Sequence, residues 1–277
     1  MKLCQFGPVG SERPGIVTKA GIVDVGSLRG PWTAGDLSPA GLDAAARLDL
    51  SELPVVIPER IGVPWNGISK YICIGLNYSD HARESGLDIP SEPIVFLKAP
   101  SAVCGPNDPT PMPIGGTKLD WEVELGVVIG RQAGNVSQNE ALNYVAGYCV
   151  LNDVSERAFQ FQSGQWSKGK SCNGFGPVGP WLVTADEVPN PQALAMSLDV
   201  NGQRMQTGNT STMIFTVAEI VSYLSRYMTL LPGDVIATGT PPGVGMGNKP
   251  EPIYLKIGDE ITLTIEGLGR QTQKVVA

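Results

Sequence analysis

The sequence predicts an α+β fold, mainly β and built from mixed sheets. Its 34 glycines and 23 prolines are spread along 277 residues, between short apolar runs rich in β-branched side chains. Frequent turn-formers at such spacing favour strands. Helical patterns are few, and nothing alternates in the βαβ rhythm of a doubly wound sheet.

Taken in order, Ile16-Val17 and Gly21 to Val25 suggest a small hairpin, and Ala40 to Leu48, rich in Ala and Leu, a short helix. Pro54, Pro58 and Pro64 mark an extended linker. These features divide the chain into a small N-terminal domain over residues 1–65 and a larger one over 66–277. The larger unit opens with the apolar strand Tyr71 to Gly75. Val123 to Ile129, closed by Gly130, and Val145 to Leu151 read as buried strands. Ser137 with Glu140 forms a capping box opening a short helix through Asn143. Thr216 with Glu219 forms another, and Val217, Ile220, Val221, Leu224 and Met228 recur behind it at helical spacing as a core stripe. Asn201-Gly202 is the favoured dipeptide of a type I′ hairpin after Leu198 to Val200, and Glu260 to Ile265 alternates as a terminal strand.

Composition excludes several classes. With 42% hydrophobic and 17% charged residues the chain is ordinary for a soluble globular protein. The charge of −7 and the lack of a basic patch argue against nucleic acid. Five cysteines, odd in number and never in a CxxC pair, fit reduced thiols. No signal-peptide core and no apolar run near the roughly 20 residues of a membrane helix are present. The expectation is a cytoplasmic protein with no membrane partner.

Glu122 and Glu124 sit two apart at the head of an apolar strand, so both carboxylates point to one face. Like charges there repel and lose hydration, and a divalent cation would compensate them. Asp153, just past the next strand, would complete an all-oxygen site suited to Mg²⁺, Mn²⁺ or Ca²⁺. The same spacing also suits glutamates edging a solvated sheet face. His81 is the only histidine, and Glu84, three residues on, shares its helix face. A carboxylate that fixes one ring nitrogen leaves the other as a general base; a surface histidine with an incidental neighbour has the same spacing. Lys168 to Cys172 reads as a glycine-rich loop; beside a metal its Lys170 would stabilise or protonate an enolate, while most lysines in such loops are merely solvated. Thr238 to Gly245 is a rigid loop whose backbone N–H groups can bind a carboxylate. Its glycines do not have dinucleotide-loop spacing.

In their order these segments resemble the fumarylacetoacetate hydrolase family over roughly residues 70–277. The matching runs are Gly75-Leu76-Asn77-Tyr78 with His81 and Glu84, Phe96-Leu97-Lys98, Leu119 to Leu125, Asn152 to Ser155, Asn201-Gly202, Thr229 to Asp234 and Thr238 to Pro241. The resemblance implies a β-sandwich roll, a homodimer, and Mg²⁺ or Mn²⁺ held by Glu122, Glu124 and Asp153. It implies catalytic roles for His81, Glu84 and Lys170. Lys98, Arg157 and Gln160 match substrate-pocket positions, and Thr240 one that binds the substrate carboxylate. The implied reaction is hydrolysis of the C3–C4 bond of a small 2,4-dioxo acid to pyruvate and a second acid. Relatives also decarboxylate or isomerise 2-oxo diacids with the same chemistry. Ser167 to Ser171 and Gly176 to Trp181 resemble the branch acting on 2,4-diketo-3-deoxy sugar acids such as L-fuconate and L-rhamnonate derivatives. Asn173-Gly174 stands where those relatives usually have Asp-Thr, which leaves open a catalytically altered, metal-binding member.

Overall fold

A computed structural model describes residues 1–80 and 89–277. The first four strands are β1 (Lys2–Phe6), β2 (Arg13–Thr18), β3 (Gly21–Asp24) and β4 (Val55–Val56). There follow β5 (Tyr71–Gly75), β6 (Ile94–Lys98), β7 (Val103–Cys104), β8 (Thr110–Pro111) and β9 (Leu119–Asp120). The middle of the chain supplies β10 (Val123–Ile129), β11 (Val145–Asn152), β12 (Ser155–Glu156) and β13 (Gly176–Thr184). The last are β14 (Ala195–Val200), β15 (Gln203–Asn209), β16 (Val235–Ala237), β17 (Glu260–Ile265) and β18 (Gly269–Val276).

The main sheet runs β4-β3-β2-β1-β13-β11-β10-β16-β5-β6, with β7 beside β13. β10 and β11 are buried along their whole length because both faces are covered. Val123, Leu125, Val127 and Ile129 point into one hydrophobic cluster and Val128 into another. The first cluster takes its opposite wall from β14, β17 and β18 and from the helix Val217–Leu224, whose Thr216–Glu219 capping box forms as expected. The second joins the main sheet to Leu3, Ile16, Val25, Trp32, Leu37 and Trp65. Residues 1–65, expected as a small domain, thus continue the central sheet: β1 pairs with β13 at Lys2–Val183 and Leu3–Leu182.

Several local expectations shift. Ser137 Oγ does donate to Glu140, but β11 begins at Val145, and only a 3₁₀ turn over Ala141–Tyr144 fits between them. Lys168 to Lys170 belongs to a helical turn, Ser167–Lys170, rather than a loop. That turn packs against Arg157–Gln160 so closely that a Cβ at Gly169 would meet Gln160 N at 2.4 Å. The terminal strand is β18. Its Gln271 and Gln273 disguise it as polar, yet both are buried and donate to main-chain oxygens of Val150, Gly179 and Pro106. The hairpin at Asn201-Gly202 has both residues at positive φ, 51° and 77°, as a type I′ turn requires. Among the described residues no helix is long and apolar enough to cross a membrane.

Candidate active site

Glu122, Glu124 and Asp153 converge where β10 and β11 end side by side. The Asn152 side chain accepts from Glu122 N at 3.1 Å, and Asp153 N donates to Glu122 O at 2.9 Å, fixing the two segments in register. One oxygen from each carboxylate lies within 4.8 Å of the others, and all three residues are buried. The strand alternation that put both glutamates on one face therefore gives a cluster, not a solvated edge.

Cations surround two of the three carboxylates. Lys170 Nζ donates to Glu122 Oε2 at 2.8 Å and Asp153 Oδ2 at 2.7 Å. Arg157 Nη2 donates to Glu122 Oε1 at 2.5 Å, its Nε to Asp120 Oδ2 at 2.9 Å, and its Nη1 to Gln160 Oε1 at 2.9 Å. Burial alone would raise the Glu122 carboxyl, but Lys170 and Arg157 outweigh it and hold it at about 2. The same pairs raise Lys170 above an ordinary lysine despite burial, so its ammonium keeps its proton. Glu124 differs: its hydrogen bond comes from Gly239 N at 2.7 Å, and no cation pairs with it among the described residues. Burial, then Asp153 and Glu122, push it well above the usual carboxylate range.

Lys98 lies behind the cluster, not in the cavity. Its ammonium donates to the carbonyl oxygens of Val154, Lys170 and Phe175 at 2.9, 2.7 and 2.8 Å. A lysine has three N–H donors, so its 2.5 Å approach to Asp153 Oδ1 is an ion pair without a hydrogen bond. Asp153 Oδ1 is accordingly a buried oxygen with no donor. Among the described residues, the buried carboxylates Asp120, Glu122, Glu124 and Asp153 thus lie with the buried cations Lys98, Arg157 and Lys170. Three converging carboxylates, with no cation paired to Glu124 among those residues, fit a hard divalent cation.

The cluster floors a cavity of about 290 Å³. Arg157, Gln160, Lys170 and Thr240 line it, together with Ile74, Leu76, Phe96, Phe161, Trp166, Met246 and Lys249. Thr240 Oγ1 donates to Val123 O at 2.9 Å and accepts from Gln206 Nε2 at 2.8 Å, so its hydroxyl is engaged within the protein. Gln160 Nε2 has no partner among the described residues. His81 and Glu84 lie outside the described residues. Asp120 went unnoticed in the sequence although it precedes Glu122 by two, the same alternation that marks Glu124. Its carboxylate holds Arg157 and accepts from Gly245 N at 2.6 Å and Met246 N at 3.0 Å. The amides of the 238–246 loop thus bind carboxylates of the protein itself, Asp120 and Glu124.

A family model for the C-terminal region of fumarylacetoacetate hydrolases matches residues 70–276. A provisionally named hydrolase of Burkholderia orbicola is 56% identical over 277 residues, 99% of this chain and 98% of the relative. A fumarylacetoacetate hydrolase from Exiguobacterium antarcticum superposes with TM-score 0.87 at 37% identity, covering 100% of this chain and 99% of the other. A maleylpyruvate hydrolase from Sphingobium sp. SYK-6, solved with manganese(II) and pyruvate, superposes with TM-score 0.81 at 30% identity, with coverage of 100% and 99%.

Proposed function

The chain belongs to the fumarylacetoacetate hydrolase family, and on that premise we propose that it hydrolyses the C3–C4 bond of a 2,4-dioxo acid with the help of a divalent cation. The observation that carries this reading is the buried triad Glu122, Glu124 and Asp153, with Lys170 between two of its members, on the floor of a cavity. Manganese and pyruvate in the Sphingobium relative support both the ion and the product.

Glu122, Glu124 and Asp153 hold Mg²⁺ or Mn²⁺, with Ca²⁺ a further candidate for the same oxygen set. When bound, the ion supplies positive charge to the substrate's carboxylate and 2-oxo oxygen. Gln160 Nε2 donates to the same end of the substrate, and Arg157 keeps Glu122 and Gln160 in place. His81, oriented by Glu84, takes a proton from water as its oxygen bonds to C4. The C3–C4 bond then breaks, its electron pair passing to C3 as the enolate of pyruvate, while C4 leaves as a carboxylic acid. The Lys170 ammonium, held protonated by its carboxylate neighbours, faces the enolate oxygen and stabilises its charge until C3 takes a proton.

The same reading describes a cytoplasmic homodimer acting on a small-molecule acid. The sugar-acid end of the substrate rests on the runs Ser167 to Ser171 and Gly176 to Trp181 alone. The experiment is incubation with Mn²⁺ and a panel of 2,4-dioxo acids and oxaloacetate, assaying pyruvate, the second acid and CO₂. Pyruvate with an equal amount of second acid supports hydrolysis. CO₂ from oxaloacetate without cleavage of any dioxo acid moves the protein to the decarboxylases, and pyruvate from none of them rejects the reading.

A further inference from the structure

The cavity lining is mixed. Beside Glu122, Glu124 and Lys170 it carries Ile74, Leu76, Phe96, Phe161, Trp166 and Met246, and Phe96 lies against Lys170, whose Nζ is 5.1 Å from the ring centroid. Phe96 and Trp166 meet edge-on, with ring centroids 5.4 Å apart and planes at 64°. Trp166 reaches this position over Gly75, where a Cβ would stand 2.6 Å from the indole. Leu76 is held at φ 53°, a conformation that a bulky side chain rarely adopts outside a built site.

Among the described residues, two of the polar groups lining the cavity are engaged within the protein. The Thr240 hydroxyl serves Val123 and Gln206, and the Arg157 nitrogens serve Asp120, Glu122 and Gln160. Lys249 lines the cavity but is exposed to solvent. A hydroxyl set against Phe96 and Trp166 exchanges water partners for rings that cannot replace them.

We propose that the acyl end of the substrate is apolar, with a flat aryl group favoured over a polyhydroxylated chain, and that Trp166 determines this specificity. The inference rests on the dioxo-acid hydrolase reading and replaces the sugar-acid tail with an apolar one. An aryl ring gains edge and face contacts from Phe96 and Trp166 beyond its area burial.

The test compares kcat/KM of the Mn²⁺-supplemented protein for 2,4-dioxo-4-phenylbutanoate and for a polyhydroxylated 2,4-dioxo-3-deoxy acid. An apolar pocket disfavours an added hydroxyl by up to roughly 100-fold, so the phenyl acid is expected to lead by about 10- to 100-fold. In Trp166→Ala that ratio should shrink about tenfold, and in Trp166→Phe it should largely return, which separates wall contacts from misfolding. Equal or better turnover of the polyhydroxylated acid, or a ratio unchanged in Trp166→Ala, overturns the proposal. If neither acid yields pyruvate, the hydrolase reading fails, and calorimetric titration of both acids decides the wall separately. Tighter binding of the phenyl acid that weakens in Trp166→Ala upholds it; equal affinities reject it.

Discussion

Lys98 Nζ stands 2.5 Å from Asp153 Oδ1, yet its three hydrogen bonds go to the carbonyls of Val154, Lys170 and Phe175. The lysine therefore neutralises Asp153 from behind through an ion pair alone, leaving Oδ1 without a donor, and it ties the segment after Asp153 to the turn that carries Lys170. Lys98→Met removes one member of a buried pair, a change that typically costs about 3–5 kcal/mol. Lys98→Arg should not restore the site, because a planar fork cannot converge on three carbonyls around one point. Denaturant unfolding and Mn²⁺ titration check both; a Lys98→Met protein with normal stability and normal Mn²⁺ affinity would refute the assignment.

Among the described residues no cation pairs with Glu124, and it sits near two other carboxylates. In Glu124→Gln that repulsion is gone, so the metal-free variant should melt no lower than the wild type. Wild-type protein should gain about 2.7 kcal/mol from Mn²⁺ at a hundredfold excess over Kd, and the variant should gain almost none. Thermal melts with and without Mn²⁺ measure the two increments, and an undiminished metal increment in the variant would remove Glu124 from the ligand set.

Asp120 touches neither cavity nor cation site directly, but it fixes Arg157 and the amides of Gly245 and Met246. Loss of such a support typically lowers metal affinity or activity about 10- to 100-fold. Asp120→Asn retains an acceptor for the amides and removes the charge from Arg157. Its kcat/KM should fall within that range while its far-ultraviolet circular dichroism matches the wild type.

Burial pushes the Cys4 thiol up to about 12 and raises Cys73 and Cys149 as well. Native thiols keep their protons where unfolded ones have lost them, so the native state binds more protons above the unfolded pKa. Stability is then fully present below about pH 9 and falls as pH rises toward 12, by up to about 1.4 kcal/mol per thiol per pH unit. Urea midpoints across that range should drop steadily; a flat profile would show that the thiols ionise in the folded protein.

The strands that carry the carboxylate triad were legible because β10 and β11 are continuous apolar runs, as burial on both faces requires. The convergence of Glu122 and Glu124 was legible for the same reason, since alternation fixes their common side. β18 was not, because Gln271 and Gln273 are buried against main-chain carbonyls rather than water, which no hydropathy pattern signals. The sequence run containing Lys98 matched a substrate-lining position, but a fully buried lysine satisfied by carbonyls carries no local mark. The aromatic wall was equally hidden: Phe96 and Trp166 are seventy residues apart and meet only because Gly75 leaves room for the indole.

Hydrolysis at the Glu122–Glu124–Asp153 site is tested most directly by isotope transfer. The Mn²⁺-supplemented protein is given a 2,4-dioxo acid in water enriched in oxygen-18, and both products are examined by mass spectrometry. The prediction is pyruvate and the second acid in equal amounts, with one heavy oxygen entering the carboxylate of the second acid. Pyruvate without that label in its partner acid, or consumption of the substrate without pyruvate, would contradict it.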